Sequence, residues 1–206
     1  MKTLLTVLFI ASCLTTLAND STSIKRWSGY ISYSPLDTWT PNKFGVVASY
    51  GDKSRLYELA FQKATISAKF EDIKLSSWSD TRIHLTTSSY TFGNSFNFQY
   101  GIFYNALSLT IGDDSFGGVS SSVDVLKLKT LGFAFGIGNS WQWSNRFNLR
   151  IDWFKFFMPL YTLGREDAFL SSSESSTSKQ IVDSALDLLE NLPTGTLGHV
   201  EVGYSF

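Results

Sequence analysis

The chain contains two histidines, His84 and His199, and histidine is the side chain best suited to acid–base chemistry near neutral pH. His84 lies in the stretch RIHLTTSSY, close to Ser88 and Ser89, and a serine beside a histidine is the minimum for acyl transfer. In an extended strand, however, four residues span about 13 Å, so His84 does not reach Ser88. The sequence also contains no G-x-S-x-G turn. We therefore expect no enzymatic activity.

A second candidate site consists of four charged residues spread along the chain: Arg26, Arg150, Asp152 and Glu201. In RFNLRIDW and HVEVGYSF the charged members occupy positions that alternate with apolar ones, so in strands they face away from the apolar side. If the last two strands are neighbours and the first strand closes a ring against the last, the four side chains converge. An unpaired buried charge costs several kcal/mol, so we expect a paired network inside the ring. The interpretation we favour is a neutral plug, and the alternative is a polar constriction or proton path.

Metal-ligating residues are sparse. Asp113 and Asp114 in GDDSFGG resemble part of a calcium site, but they lack the extended ligand series of an EF-hand loop. A hairpin tip rich in Asp and Gly explains them better. We expect no metal site and no cofactor.

Residues 1–18 have the form of an export signal peptide. Lys2 supplies the positive start, the apolar stretch that follows is too short to span a bilayer, and small residues precede a cleavage site after Ala18. The alternative is a lipobox ending in Cys13, which would leave a lipid-modified cysteine. Cys13 is the only cysteine, so cleavage after Ala18 would leave residues 19–206 as one domain without disulfides.

Composition narrows the class of protein further. The formal net charge is −1, which gives no indication of a nucleic-acid partner. Charged residues make up 17% of the chain, against about 25% in ordinary soluble domains. Aromatic residues reach 16%, yet no later apolar run approaches the ~20 residues of a transmembrane helix.

Alternation of apolar and polar side chains runs through most of residues 19–206 and predicts strands. In SFNFQYGIFYN the apolar set falls on even positions from Phe96 to Tyr104, and Phe103 is the one exception. We predict eight strands, at residues 26–34, 43–51, 54–71, 80–90, 95–111, 119–138, 145–160 and 197–206. Short turns follow the second, fourth and sixth of them, whereas longer links follow the first, third and seventh.

The apolar residues change phase in two of these strands. In 54–71 they move from odd to even positions, and a bulge near Gln62 or Lys63 would account for this change. In 119–138 Leu126 and Leu128 give way to an apolar set on odd positions.

The polar side of the strands indicates which face points outward. A soluble lipocalin-like barrel has its apolar face inside and Lys, Glu and Asp outside, whereas a membrane barrel has its apolar face toward lipid. Here the polar side is largely Gly, Ser, Asn, Gln and Thr, which suit a narrow interior. We predict an all-β fold, a transmembrane antiparallel up-and-down β-barrel of about eight strands. Candidate girdle aromatics are Trp27, Trp141, Trp143, Tyr204 and Phe206 at the turn end, and Trp153, Phe156, Phe157 and Tyr161 at the other.

The end of the chain, HVEVGYSF, resembles the C-terminal β-signal of bacterial outer-membrane proteins. Phe206 is terminal, Tyr204 lies two residues before it, and Val202 and Val200 continue the alternation. With the export signal and the loop asymmetry, the chain resembles small eight-stranded barrels of OmpA/OmpX-like architecture. The resemblance implies location in the cell outer membrane among its lipids and lipopolysaccharide, and recognition of the last strand by the barrel-insertion machinery.

One segment breaks the strand pattern. Residues 178–192 carry apolar side chains on one helical arc and polar ones on the other, which predicts an amphipathic helix in the last long loop. Ser178 is suited to cap its start, and Pro193 ends it. An eight-stranded lumen is too narrow for a helix, so we expect this one over the mouth or against the rim.

Together these observations predict a monomeric integral outer-membrane β-barrel with a structural or surface-interaction role through its long external loops. The alternative is a narrow channel or carrier for small molecules, and a soluble lipocalin-like binder comes third.

Overall fold

The computed structural model describes residues 25–52, 54–70, 73–90, 95–111, 123–167, 184, 187 and 190–206. Within these ranges the chain forms nine strands: β1 (Arg26–Ser34), β2 (Leu36–Asp37), β3 (Lys43–Gly51), β4 (Arg55–Phe70), β5 (Ile73–Ser89), β6 (Phe96–Ile111), β7 (Val123–Gln142), β8 (Phe147–Asp167) and β9 (Thr194–Ser205). No helix among these residues is long and apolar enough to cross a membrane.

Eight of the strands form a closed antiparallel ring. Each long strand pairs with the next along the chain, and β1 also pairs with β9, where Ser28 lies opposite Ser205. The short strand β2 extends this seam, with Leu36 opposite Leu197 on β9. The prediction of an up-and-down barrel of about eight strands is therefore confirmed.

Several strand limits differ from the predicted ones. The link expected at 71–80 is mostly strand, because β5 begins at Ile73 and pairs with the upper half of β4. The strand predicted at 145–160 continues to Asp167, and β7 ends at Gln142 rather than at residue 138. Small hydroxyl residues such as Ser76 and Ser79 carry little alternation signal, so this part of β5 was not recognised as a strand.

Large apolar side chains cover the outside of the ring. Phe44 and Val46 on β3, Leu59 on β4 and Leu85 on β5 are each more than half exposed. Serine, threonine, asparagine and glutamine side chains point inward and are buried, among them Ser49, Gln62, Thr86 and Asn97. A soluble lipocalin-like barrel has the opposite arrangement. We call this outward-facing apolar surface the belt.

Toward the loop end, where the longer connections lie, the pattern of the strands inverts. Leu107, Leu126 and Leu128 are buried inside the ring, whereas Lys63 and Lys129 are exposed on the outside. The change of apolar phase thus marks the upper edge of the belt. The predicted bulge near Gln62 or Lys63 is wrong, since β4 pairs without a shift through these residues and its irregularity lies between Ala68 and Lys69.

Strand β8 departs from regular pairing more than the others. Its register with β7 shifts three times, at Lys129/Thr130, Leu131/Gly132 and Ile137/Gly138 on β7. One extra residue on β8 swaps the faces of the residues that follow it. As a result Phe157, which we expected in the outer girdle, is fully buried inside the barrel.

Some predicted features fall on residues outside the described ranges. These are the signal peptide at 1–18, the GDDSFGG tip at 112–118 and most of the helix expected at 178–192. Within that last segment Asp187 and Glu190 are described, and their carboxylates lie 2.9 Å and 3.3 Å from Nη1 of Arg165 on β8.

Candidate functional site in the barrel lumen

Inward-facing positions of β4, β8 and β9 bring together Glu58, Arg150 and Glu201. Arg150 and Glu201 are register partners on neighbouring strands, and Glu58 reaches them across the lumen. Nη1 of Arg150 lies 2.5 Å from Oε1 of Glu58 and 3.2 Å from Oε2 of Glu201. Ser88 on β5 accepts a hydrogen bond from Nη2 of Arg150 at 3.1 Å and donates one to Oε1 of Glu58 at 2.8 Å. One cation thus forms ion pairs with two buried carboxylates.

Asp152 and His199 extend this group along the same two strands, where they also lie opposite each other. Nζ of Lys155 lies 2.8 Å from Oδ2 of Asp152, and the Gln99 amide donates to Oδ1 of Asp152. The two ring nitrogens of His199 lie 2.7 Å from Oγ of Ser34 and 3.0 Å from Oε1 of Glu201. We call these charged and histidine side chains the Arg150 cluster: Glu58, Arg150, Asp152, Lys155, His199 and Glu201.

A second buried group, the Arg82 cluster, lies nearer the loop end and consists of Asp37, Lys43, Asp80 and Arg82. Lys43 Nζ lies 2.5 Å from Asp80 and 3.3 Å from Asp37, and Arg82 Nη1 lies 2.7 Å from Asp37. Two cations and two carboxylates therefore alternate around one centre.

The connection after β1 supplies part of this cluster. Asp37 on β2 and Thr40 in the connection that follows it are both buried. Thr40 Oγ1 donates to Oδ2 of Asp80 at 2.9 Å. At Asn42 the backbone turns back with φ of 60°, and the amide side chain accepts a hydrogen bond from the Tyr33 hydroxyl at 2.5 Å. The connection after β1 thus contributes two buried side chains to the contacts of the Arg82 cluster.

Replacement of Thr40 by valine tests the hydrogen bond from Thr40 to Asp80, because valine keeps the shape and removes the hydroxyl donor. We expect the free energy of unfolding to fall by about 1.5–3 kcal/mol, the usual cost of a hydrogen bond to a charged group. Urea unfolding in detergent micelles measures the change. Thr87→Val, an outward-facing position on β5, is the matched control and should stay close to the wild type.

An aromatic layer packs beside the Arg82 cluster. The guanidinium carbon of Arg82 lies 4.0 Å from the centroid of the Phe157 ring, and Phe103 meets the same ring edge-on at 5.2 Å. Gly132 makes room for Phe103, because a Cβ at this glycine would lie 2.7 Å from Cε1 of the ring. His84 packs on Phe157 at 5.9 Å. His84 therefore contacts the aromatic layer, whereas Ser88 is hydrogen-bonded to Glu58 and Arg150.

Three of the four charged residues expected in the lumen are there together: Arg150, Asp152 and Glu201. Arg26 is exposed at the first position of β1 and lies outside both clusters. Sequence reasoning missed Glu58, Lys155 and His199 of the Arg150 cluster and all members of the Arg82 cluster. Glu58 carried a usable signal, since it interrupts the apolar positions of RLYELAF. Lys155 did not, because the shift in β8 near Trp153 reverses its face.

Asp152, His199 and Glu201 are the one group found among the described residues whose ligand atoms could surround a metal ion, all within 4.8 Å of one another. Both carboxylates already have a cationic partner: Lys155 contacts Asp152, and Arg150 contacts Glu201. A metal ion at this group would therefore have to displace these two protein cations.

Neither a protein-family model nor a curated protein sequence matches this chain. Solved structures do match its fold. A major outer membrane protein from Thermus thermophilus superimposes with a TM-score of 0.55 at 10% identity, covering 88% of this chain and 99% of that one. CarO of Acinetobacter baumannii gives 0.48 at 12% identity, covering 87% and 97%, and Neisserial surface protein A gives 0.43 at 8%, covering 88% and 96%.

The similarity to the Thermus protein is one of fold. This chain has the architecture of an outer-membrane β-barrel, as its closed ring and outward apolar belt already indicate.

Proposed function

We propose that this chain is an integral outer-membrane protein that serves as a rigid, non-conducting scaffold for its external segments. The belt supports the membrane location. The outward-facing Phe96 and Tyr104 on β6 are separated by about eight residue steps, which at ~3.4 Å per residue and a tilt of about 40° corresponds to a height of about 21 Å. This is close to the ~25 Å band of transmembrane barrels. Without lipid, the belt would expose apolar surface far beyond the norm for a soluble monomer.

Aromatic side chains at the turn end support the same placement. Trp27, Trp143, Tyr204 and Phe206 are exposed near strand ends, where amphipathic rings favour the boundary between lipid and water. The two ends of the described chain lie on this side together with the short turns. The longer connections at the other end would then face the outside of the cell.

The observation that carries the non-conducting role is the burial of the lumen charges. Lys43, Arg82 and Arg150 are 0% exposed, and Lys155 is 2% exposed, although all are polar groups inside a barrel. In a water-filled channel the lining charges would contact water. Here ion pairs, the Phe157 layer and the buried side chain of Thr40 occupy the lumen instead, as expected for an eight-stranded barrel. No enzymatic activity forms part of this proposal.

A narrow channel or carrier for small molecules is the second candidate. The Arg82 and Arg150 clusters favour this candidate, because they line the lumen with ionisable side chains at two levels. If these side chains exchanged ion-pair partners, a polar path would open. A channel or carrier requires the two charge clusters to rearrange, whereas a scaffold role does not.

Conductance in planar bilayers separates the two candidates. We expect the purified protein to give no reproducible open events. Phe103→Ala/Phe157→Ala removes the aromatic layer and should produce small, steady conductance, which shows that an opened barrel is detectable. Heat-modifiable migration on gels confirms that both proteins are folded. Reproducible open events from the wild type would favour the channel.

A further inference from the structure

The outer surface changes character just above the belt, on the face formed by β4, β5, β6 and β7. Strand pairing aligns its outward-facing residues in three rows. The top of the belt is the row Phe61, Ile83, Tyr104 and Leu131. The next row toward the loop end is Lys63, Thr81, Ala106 and Lys129. The third row is Thr65, Ser79, Ser108 and Lys127. We call the two upper rows the lysine face.

The lysine face has the form of a shallow recess with positive walls. Lys63 and Lys129 are exposed and lie in one row, three strand spacings or about 14 Å apart. The side chains between the two lysines, Thr81 and Ala106, are small, so the surface there is lower than at the lysines. Lys127 adds a third ammonium group one row higher on β7.

Negative charge is scarce on this surface. Neither row of the lysine face contains a carboxylate. The neighbouring carboxylate is that of Glu166, which pairs with Lys127 from the adjacent strand β8. Its Oε2 lies 3.6 Å from Nζ of Lys127. The surface thus complements an anion, and threonine and serine hydroxyls between the lysines add hydrogen-bond donors.

An apolar groove lies beside Lys63 on the outside of β3 and β4. It is open to the outside, has a volume of about 560 Å³ and is lined by Phe44, Val46, Phe61 and Lys63, with Ala64 and Thr65 at its upper end. An ammonium group at the top of an apolar groove matches an amphiphile with an anionic head and a hydrocarbon tail.

We propose that the lysine face binds an anionic lipid of the surrounding leaflet, one whose headgroup phosphate gives it a net negative charge. The headgroup phosphate lies between Lys63 and Lys129, and an acyl chain runs down the groove beside Phe61. This inference rests on the proposed membrane location and deepens it, because it assigns one face of the barrel to anionic lipid.

Lipid retention measured by native mass spectrometry tests the proposal. The protein in detergent micelles is mixed with equal amounts of phosphatidic acid and phosphatidylcholine of the same chain length. We expect the wild type to retain more phosphatidic acid. Each basic side chain strengthens binding to an anionic lipid by about fivefold, so Lys63→Gln/Lys129→Gln should lower the preference by about tenfold or more.

The matched control is Lys25→Gln/Arg26→Gln, which removes the same charge at the turn end, where both residues are exposed. This variant should keep the preference of the wild type. Equal retention of the two lipids by the wild type, or an equal loss in both variants, would overturn the inference. Heat-modifiable migration separates this failure from that of the proposed function, because a folded barrel without lipid preference contradicts the lysine face alone.

Discussion

Replacement of Arg150 by methionine should lower the free energy of unfolding by about 3–5 kcal/mol, the cost of leaving buried charges without their partner. Arg150 lies within ion-pair distance of both Glu58 and Glu201, and all three side chains are at most 2% exposed. Methionine fills much of the same space but provides no charge. Two carboxylates would then remain inside the lumen, with His199 as the polar neighbour of Glu201.

Urea unfolding in lipid vesicles, followed by gel migration and tryptophan fluorescence, measures this loss. Arg26→Gln is the matched control, because Arg26 was expected in the same network but is exposed on β1. Exposed substitutions of this kind change stability by about 0.5 kcal/mol or less. If Arg150→Met costs no more than Arg26→Gln, the Arg150 cluster does not hold the lumen together.

A double-mutant cycle shows whether the cost comes from the ion pair itself. Glu58→Gln/Arg150→Met removes one negative charge together with the positive one. Because fewer unpaired charges remain, we expect the double variant to be more stable than Arg150→Met alone. Simple addition of the two single losses would show that Glu58 and Arg150 act independently.

The barrel could be predicted from the sequence because its belt obeys a strict period of two. In β6 the even positions from Phe96 to Tyr104 face outward, and the exception, Phe103, packs inside against Phe157. The predicted bulge at Gln62 or Lys63 failed for a physical reason. Beyond Phe61 the outside of β4 carries the polar residues Lys63 and Thr65, and the apolar Ala64 faces inward while the strand remains regular. In the sequence, a change in the polarity of the outer surface therefore gives the same pattern as a change of strand register.

The lumen site was less accessible to sequence reasoning than the fold. Arg150 and Glu201 share a register row on adjacent strands, so alternation and strand order were enough to bring them together. Asp37 enters the lumen from the two-residue strand β2, which was not predicted, and Lys155 enters because β8 is irregular. Neither local pattern nor composition encodes these two features, since both depend on how distant strands pack.

The terminal residue offers the second test with a large expected effect. Deletion of Phe206 should lower the amount of folded protein in the outer membrane by about tenfold, equivalent to ~1.4 kcal/mol of lost recognition. This expectation extends the resemblance of HVEVGYSF to the C-terminal β-signal of bacterial outer-membrane proteins, from which we propose that insertion machinery recognises the last strand. Cell fractionation followed by heat-modifiable gel migration measures the folded amount.

The role of Phe206 in the finished barrel is small by comparison. Its side chain is 74% exposed, it meets Tyr204 at 5.9 Å, and its amide donates one hydrogen bond of 2.9 Å to the Trp27 carbonyl. The seam between β1 and β9 retains its pairs from Ser28–Ser205 to Tyr33–Val200 without it. We therefore expect the purified, truncated chain to refold into vesicles with a loss of stability of no more than about 1 kcal/mol.

The contrast between cell and vesicle makes the test specific. Trp27→Ala is the matched control, because Trp27 is an equally accessible aromatic at the same rim, 61% exposed on the neighbouring strand, but is not part of the chain end. If recognition depends on the terminal residue, Trp27→Ala assembles in cells and the truncation does not, while both refold in vesicles. If the truncated chain fails equally in vesicles, Phe206 acts through barrel stability. Normal assembly in cells would show that the insertion machinery does not depend on Phe206.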